Sequence, residues 1–305
     1  MSSTKATLDQ IVAQINQVIL GKETQIRLVL TCLIAKGHVL LEDVPGVGKT
    51  TLAHVIAKVL GLSFQRVQFT SDLLPADIIG VSIYDKTLGQ FKFHRGAIFS
   101  QMVLADEINR ATPKTQSALL EAMEEHQVTI EGESHQLPAP FFVLATQNPL
   151  YQIGTFPLPE SQLDRFLMRL ALGYPDARTE RELLKGKDRR ELLETLQPVV
   201  SIEEIIKIQS QVAQVTVSDA LIDYLQAILA TSRQSPRYQM GLSPRAGLAI
   251  LHSAQAWALM HGRDFVMPED VQAILPAVVG HRLVSATHED ASALVSQLIE
   301  SVAIP

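Results

Sequence analysis

Gly37-His38-Val39-Leu40-Leu41-Glu42-Asp43-Val44-Pro45-Gly46-Val47-Gly48-Lys49-Thr50 decides how this chain folds. An apolar run, His38–Leu41, breaks into a turn holding two glycines, and an amphipathic stretch, Thr50–Leu60, follows at once. A short apolar run bounded by turn signals reads as a buried parallel strand. Strand, glycine turn and helix in that order make the place for a phosphate loop. Glycines let backbone N–H groups close around phosphate oxygens, and the helix N-terminus behind them favours negative charge. The loop is read as Asp43, Val44, Pro45, Gly46, Val47, Gly48, Lys49, Thr50 and Thr51. Lys49 is placed to reach β- and γ-phosphates, and the Thr50 hydroxyl to bind Mg²⁺. The strict pattern begins with glycine, and Asp43 fills that position here. Taken alone, the segment also suits a structural strand–helix turn that happens to read Gly-Lys-Thr.

A second motif weighs against that bland reading. The apolar run Met102–Ala105 leads into Asp106-Glu107, 56 residues beyond Thr50. In open α/β sheets ligands gather at the carboxyl ends of strands. Asp106 is therefore the candidate to hold Mg²⁺, and Glu107 the candidate to orient and polarise an attacking water. Phosphoryl transfer demands positioning and charge neutralisation more than covalent chemistry, so a second carboxylate beside the metal-holding one points to hydrolysis of ATP. A guanine-reading Asn-Lys-x-Asp is absent from the sequence. Asp77-Ile-Ile-Gly80 matches an Asp-x-x-Gly pattern, but no apolar strand feeds it, and it is read as coincidence.

Further apolar runs, Phe141–Ala145, the mixed Phe64–Phe69 and the Arg169-containing Phe166–Leu172, extend the pattern, with Lys114–Glu125 helical between them. Alternation of strands and helices implies right-handed crossovers and a helix-covered parallel sheet. Amphipathic stretches Leu8–Leu20 and Lys22–Lys36 precede the sheet. Val81–Phe93 and Gln127–Leu137 read as hairpins, the second turning at Glu131-Gly132-Glu133. After Tyr174-Pro175 the chain reads as helices only. Ser201-x-x-Glu204, Ser218 and Ser243-Pro244 mark helix starts, and Met267-Pro268-Glu269-Asp270 opens another. The fold class predicted is α/β. Residues 1–175 form an αβα P-loop NTPase core with hairpins at about 80–96 and 126–138, residues 176–200 a linker, and residues 201–305 an all-α lid.

The 305 residues, 47% hydrophobic and 19% charged, suit two domains with real cores. A formal charge of −6 weighs against general gripping of phosphate backbones. Cys32 is the only cysteine, so no intrachain disulfide can form, which fits a reducing compartment. Met1-Ser2-Ser3-Thr4-Lys5 lacks the apolar run of a signal peptide, and no stretch has the length of a membrane span. The expectation is a cytoplasmic protein with no membrane insertion. Nine histidines carry no His-x-x-x-His spacing, and no zinc site is expected.

With these residues in place, the chain resembles the MoxR family of AAA+ ATPases, in the helix-2-insert clade. The resemblance rests on Gly37–Thr50, including that family's tolerated Asp43, and on Gln68-Phe-Thr-Ser-Asp-Leu-Leu-Pro75 and Leu104-Ala-Asp-Glu-Ile-Asn-Arg-Ala111. It continues in Ala145-Thr-Gln-Asn-Pro149 and Phe156-Pro-Leu-Pro-Glu-Ser-Gln-Leu-Asp-Arg-Phe166. It implies that Asn148 acts as sensor 1, helping to place the lytic water. Arg165 takes the part of an arginine finger offered to a neighbour's ATP, with Arg169 and Arg110 as rivals, and Arg245 that of sensor 2. Ile19-Leu20-Gly21 occupies the place where relatives wrap adenine. The two hairpins correspond to the helix-2 insert and the pre-sensor-1 hairpin, which act on substrate in related rings. The resemblance implies an ATPase using ATP and Mg²⁺, assembled as a homo-oligomeric ring, a hexamer. It further implies chaperone-like remodelling of protein clients with a von Willebrand A-domain partner.

Other readings differ in what they require. A nucleic-acid-acting, helicase-like motor shares the clade, but the acidic balance and the acidic tip Glu131/Glu133 oppose it. A non-hydrolysing switch or scaffold would have no use for Glu107, Asn148 and Arg165 together. A small-molecule P-loop kinase would carry a short arginine-bearing lid within the core.

Overall fold

A computed structural model describes residues 2–87, 89–148, 154–185, 189–287 and 289–304. Helices α1 (Ser2–Val18) and α2 (Glu23–Ile34) precede the sheet. Strand β1 (Val39–Glu42), helix α3 (Lys49–Val59), strand β2 (Phe64–Gln68) and the single turn α4 (Pro75–Ile79) follow. A hairpin of β3 (Gly80–Asp85) and β4 (Gln90–Arg95) leads to β5 (Met102–Asp106) and α5 (Pro113–Glu125). A second hairpin, β6 (Gln127–Ile130) and β7 (Glu133–Gln136), precedes β8 (Phe142–Gln147), the turn α6 (Glu160–Leu163) and β9 (Met168–Leu170).

Strands β2-β5-β8-β1-β9 form one parallel sheet in that order. Alternation sorts the strands' side chains. Val39 and Leu41 join one apolar cluster with α1, α2 and α3, while Leu40 joins the other with α5. Neighbouring side chains on a strand point to opposite faces, so near-continuous apolar runs are what a sheet covered on both faces requires. The chain leaves β1 toward β2 at one edge and leaves β8 toward β9 on the other side of β1. This divergence opens a crevice at the carboxyl ends of the central strands.

The mixed pattern of Phe64–Phe69 has a simple origin: β2 is an edge strand, with one side free of the ladder. Phe166–Leu172 is strand only from Met168 to Leu170, at the opposite edge. Asp77-Ile-Ile-Gly80 ends α4 and enters β3, and the Asp77 carboxylate accepts the Leu74 N–H at 2.8 Å and caps the turn. The hairpins expected at about 80–96 and 126–138 are β3–β4, whose Leu88 lies outside the described residues, and β6–β7, which turns through Glu131 and Gly132 at positive φ. They touch each other: the Phe93 ring stacks on His135 with centroids 4.6 Å apart.

The stretch expected as linker carries α7 (Ala177–Lys185) and α8 (Arg189–Thr195), with residues 186–188 outside the described ones. Helices α9 (Ile202–Val212) and α10 (Asp219–Gln234) follow. Strand β10 (Tyr238–Met240), helices α11 (Pro244–Met260) and α12 (Pro268–Val279), strand β11 (Val284–Ser285) and helix α13 (Ala291–Ser301) complete the chain. The expectation of helices only after Tyr174 needs correction, because β10 and β11 pair antiparallel. Segments of two and three residues are too short to show a period in sequence.

Ser201, Ser218 and Ser243 each accept the N–H three residues on, at 3.1–3.2 Å, and start α9, α10 and α11. Helices α1 and α2 pack on both halves: α1 on α3 and α11, α2 on α9 and α11. One continuous apolar cluster therefore runs from the sheet into the C-terminal helices. Among the described residues no helix is long and apolar enough to cross a membrane.

Candidate active site

The phosphate-loop sequence leaves β1, Asp106 ends β5 with Glu107 just after it, and Asn148 follows β8, the strand between them. Adjacent parallel strands thus deliver three segments, far apart in sequence, to one edge. They line a cleft of about 340 Å³ with Pro45, Gly46, Gly48, Lys49, Thr50, Thr51, Asp106, Glu107 and Asn148.

Gly46 and Gly48 have φ of +87° and +95°, where side chains are strained, and a Cβ at either would meet nothing within 4 Å. Glycine is needed here for backbone conformation, and the space beside it is open for a ligand to approach. Asp43 avoids the left-handed region. Its carboxylate accepts the N–H of Val44 at 2.8 Å and of Gly173 at 2.6 Å, tying the loop to the segment after β9. Nothing in that geometry requires glycine, which accounts for the departure from the strict pattern.

Lys49 is buried and donates from Nζ to the Asp43 carbonyl at 2.5 Å and to Asn148 Oδ1 at 3.2 Å. Burial lowers its pKa from the ordinary lysine value, opposed by the charges of Asp43, Asp106 and Glu107. Asn148 Nδ2 donates to Glu107 Oε1 at 2.9 Å. A polar chain therefore runs from ammonium to amide to carboxylate. Glu107 adopts φ +57° and starts a short 3-10 turn, which turns its side chain away from the strand line. Its Oε2 accepts from Gln68 Nε2 at 3.1 Å and pairs with Arg110 Nε at 2.9 Å.

Asp106 Oδ1 accepts the Thr146 hydroxyl at 2.6 Å, and the same hydroxyl oxygen accepts the Glu107 N–H at 2.9 Å. Asp106 Oδ2 accepts from Arg66 Nη2 at 2.7 Å and Nε at 3.1 Å. Hydroxyl and carboxylate oxygens from Thr50 and Asp106 are the hard donors that Mg²⁺ takes. Among the described residues no three carboxylate, imidazole or thiolate groups gather as a cage. An ion here would draw its remaining oxygens from phosphate and water, as Mg²⁺ at nucleotide sites does. The open glycine cradle and the acids facing Lys49 fit a metal–nucleotide ligand.

Arg165 and Arg245 stand elsewhere. Arg165 Nη1 lies 3.0 Å from Glu124 Oε2 and donates to the Leu120 carbonyl at 2.9 Å. Arg245 Nη2 lies 3.0 Å from Glu124 Oε1 and its Nε 3.9 Å from Asp164. Glu124 lies in the last turn of α5, whose Met123 carbonyl is 3.2 Å from His38 Nε2, just before β1; Leu167 N also donates to the His38 carbonyl, at 2.9 Å. Both arginines therefore sit by the amino-terminal ends of the strands, away from the phosphate-loop edge. Neither lines the phosphate cleft of its own chain. Arg169 is tied to Glu42 at 3.0 Å and to the Gly280 carbonyl at 2.8 Å. Ile19-Leu20-Gly21 does not line the phosphate cleft either; Gly21 packs against Thr179.

Sequence reasoning did not single out Thr146, Arg66, Gln68 or Glu124. Thr146 had a signal, a hydroxyl ending an apolar strand. Arg66 and Gln68 had a weaker one, two polar residues on one face of a mixed strand. Glu124 had none, since its partners come from the other end of the chain.

Residues 38–168 match the model of the ATPase family associated with various cellular activities (AAA), and residues 230–301 match that of the AAA lid domain. The chain is 39% identical to Chaperone MoxR1 of Mycobacterium tuberculosis, over 98% of this chain and 82% of that protein. It is 48% identical to YeaC of Bacillus subtilis, over 98% of this chain and 95% of the other. A crystal structure assigned as an ATPase, from Cytophaga hutchinsonii, superposes with a TM-score of 0.91 at 35% identity, covering 99% of this chain and 96% of that one.

Proposed function

The chain belongs to the MoxR family of AAA+ ATPases, and from that premise we propose that it couples ATP hydrolysis to chaperone-like remodelling of protein clients. The observation that carries the chemistry is the convergence of Lys49, Asn148, Glu107 and Asp106 on one glycine-cradled cleft. Backbone N–H groups of Gly46–Thr51 enclose the phosphates, and Lys49 exchanges its carbonyl partner for β- and γ-phosphate oxygens. Thr50 and Asp106 hold Mg²⁺, which when bound neutralises charge on the phosphates. Glu107, oriented by Asn148, takes the hydrogen bond of the attacking water and polarises it.

Arg165 and Arg245 act across subunits. They are gathered on Glu124 at the strand edge opposite their own phosphate loop, so a neighbouring copy is where their charge meets a triphosphate. An arginine supplied in trans raises phosphoryl-transfer rates by about 10³–10⁵ in GTPases. This placement supports a closed homo-oligomeric ring, which we take to be a hexamer. The name of the Mycobacterium relative supports the chaperone role. A von Willebrand A-domain partner is proposed on family resemblance. The paired hairpins, with Phe91 and Tyr84 exposed on β4 and β3, offer apolar surface for a client.

Glu107→Gln tests the reading. The variant should bind ATP while phosphate release falls by about 10²-fold or more, whereas Lys49→Ala should lose ATP binding itself. Near-normal phosphate release from Glu107→Gln would sink the assignment of that carboxylate.

A further inference from the structure

Arg66 lies outside every role given so far, yet it holds the carboxylate assigned to magnesium. Its side chain is 47% exposed on the edge strand β2, while the Asp106 side chain is 11% exposed. Two N–H groups of the guanidinium converge on one oxygen, Oδ2, at 2.7 and 3.1 Å. The other oxygen already accepts the Thr146 hydroxyl. Both oxygens of Asp106 are therefore engaged while Arg66 is in place, and a metal approaching Oδ2 meets a guanidinium already there. Nη2 also donates to Gln68 Oε1 at 2.8 Å, and Gln68 Nε2 donates to Glu107 Oε2, so this one guanidinium links both acids of the site.

We propose that Arg66 competes with magnesium for Asp106, so that loading metal and nucleotide requires its guanidinium to leave Oδ2. The proposal rests on the reading of Asp106 as the metal-holding residue. Two like charges beside one carboxylate repel, and the half-exposed edge gives the guanidinium solvent to move into. Arg66 is then a positioning residue that sets how much magnesium the site needs.

The test is binding of a fluorescent ATP analogue to the full chain across a magnesium titration, with no turnover involved. Arg66→Gln should lower the half-saturating magnesium concentration roughly fivefold, the upper end for a half-exposed ion pair. Arg66→Lys keeps the charge but loses the two-pronged grip, and should give a smaller decrease in the same direction. Circular dichroism establishes that each variant is folded. An unchanged or higher magnesium requirement in the folded variants would overturn the proposal. Asp106→Asn separates the two failures. If that change leaves the magnesium requirement untouched, the metal-holding assignment of Asp106 falls, whatever Arg66 does.

Discussion

His38 shows how much one residue can settle. Its Nδ1 accepts the Val143 N–H at 3.0 Å, so the proton of the neutral ring sits on Nε2 and is donated to the Met123 carbonyl at 3.2 Å. A second proton would have no acceptor at Nδ1, and burial lowers the pKa from 6.5 to about 4. The unfolded chain takes up that proton more readily, so stability is full above about pH 6.5 and is lost as pH falls toward 4. The loss amounts to about 3 kcal/mol once the pH reaches 4. His281, also buried and facing Arg282 and Arg169, is lowered well below the usual value and adds in the same direction. Urea unfolding at neutral and mildly acidic pH checks this. Replacing His38 by Gln, which keeps one acceptor and one donor, should flatten the dependence, and an equal slope in the variant would remove His38 as its source.

Helix α11 brings Arg245 to Glu124 from its first turn, and that turn begins on the Ser243 hydroxyl accepting the Ala246 N–H. Ser243→Ala should cost about 1 kcal/mol in chemical denaturation, and less than a few tenths would mean the cap is idle. The cap was legible because Ser-Pro at a helix start is a local rule, written in neighbouring residues. The central strands were legible for a related reason, since burial on both faces demands unbroken apolar runs such as Phe142–Ala145. The β10–β11 pair was not, since it joins residues about forty-five positions apart through only two registered partners. Within the site, the loop and acids announce themselves by composition. Thr146, Arg66 and Glu124 become visible only when strand order and helix direction bring their partners in. The stacking of Phe93 on His135 is of that second kind, because each hairpin is a local signal and their meeting is not.

At the scale of the molecule the two arginines and the phosphate loop occupy opposite edges of one sheet. On the proposed reading, a single chain holds the two halves of an active site facing away from each other. Mixing Arg165→Ala chains with Glu107→Gln chains, each inactive alone, should restore part of the ATPase at interfaces that pair the intact halves. No recovery in phosphate release at any mixing ratio would leave Arg165 without a role in trans. Between those edges lies the apolar seam through which α1 touches both α3 and α11. The helix behind the phosphate loop and the helix bearing Arg245 rest on the same apolar surface. Close-packed side chains of this kind slide by small steps rather than swing freely. On the proposed reading the drive from nucleotide to the far arginine is geared, with rearrangement at one end emerging as shear at the other.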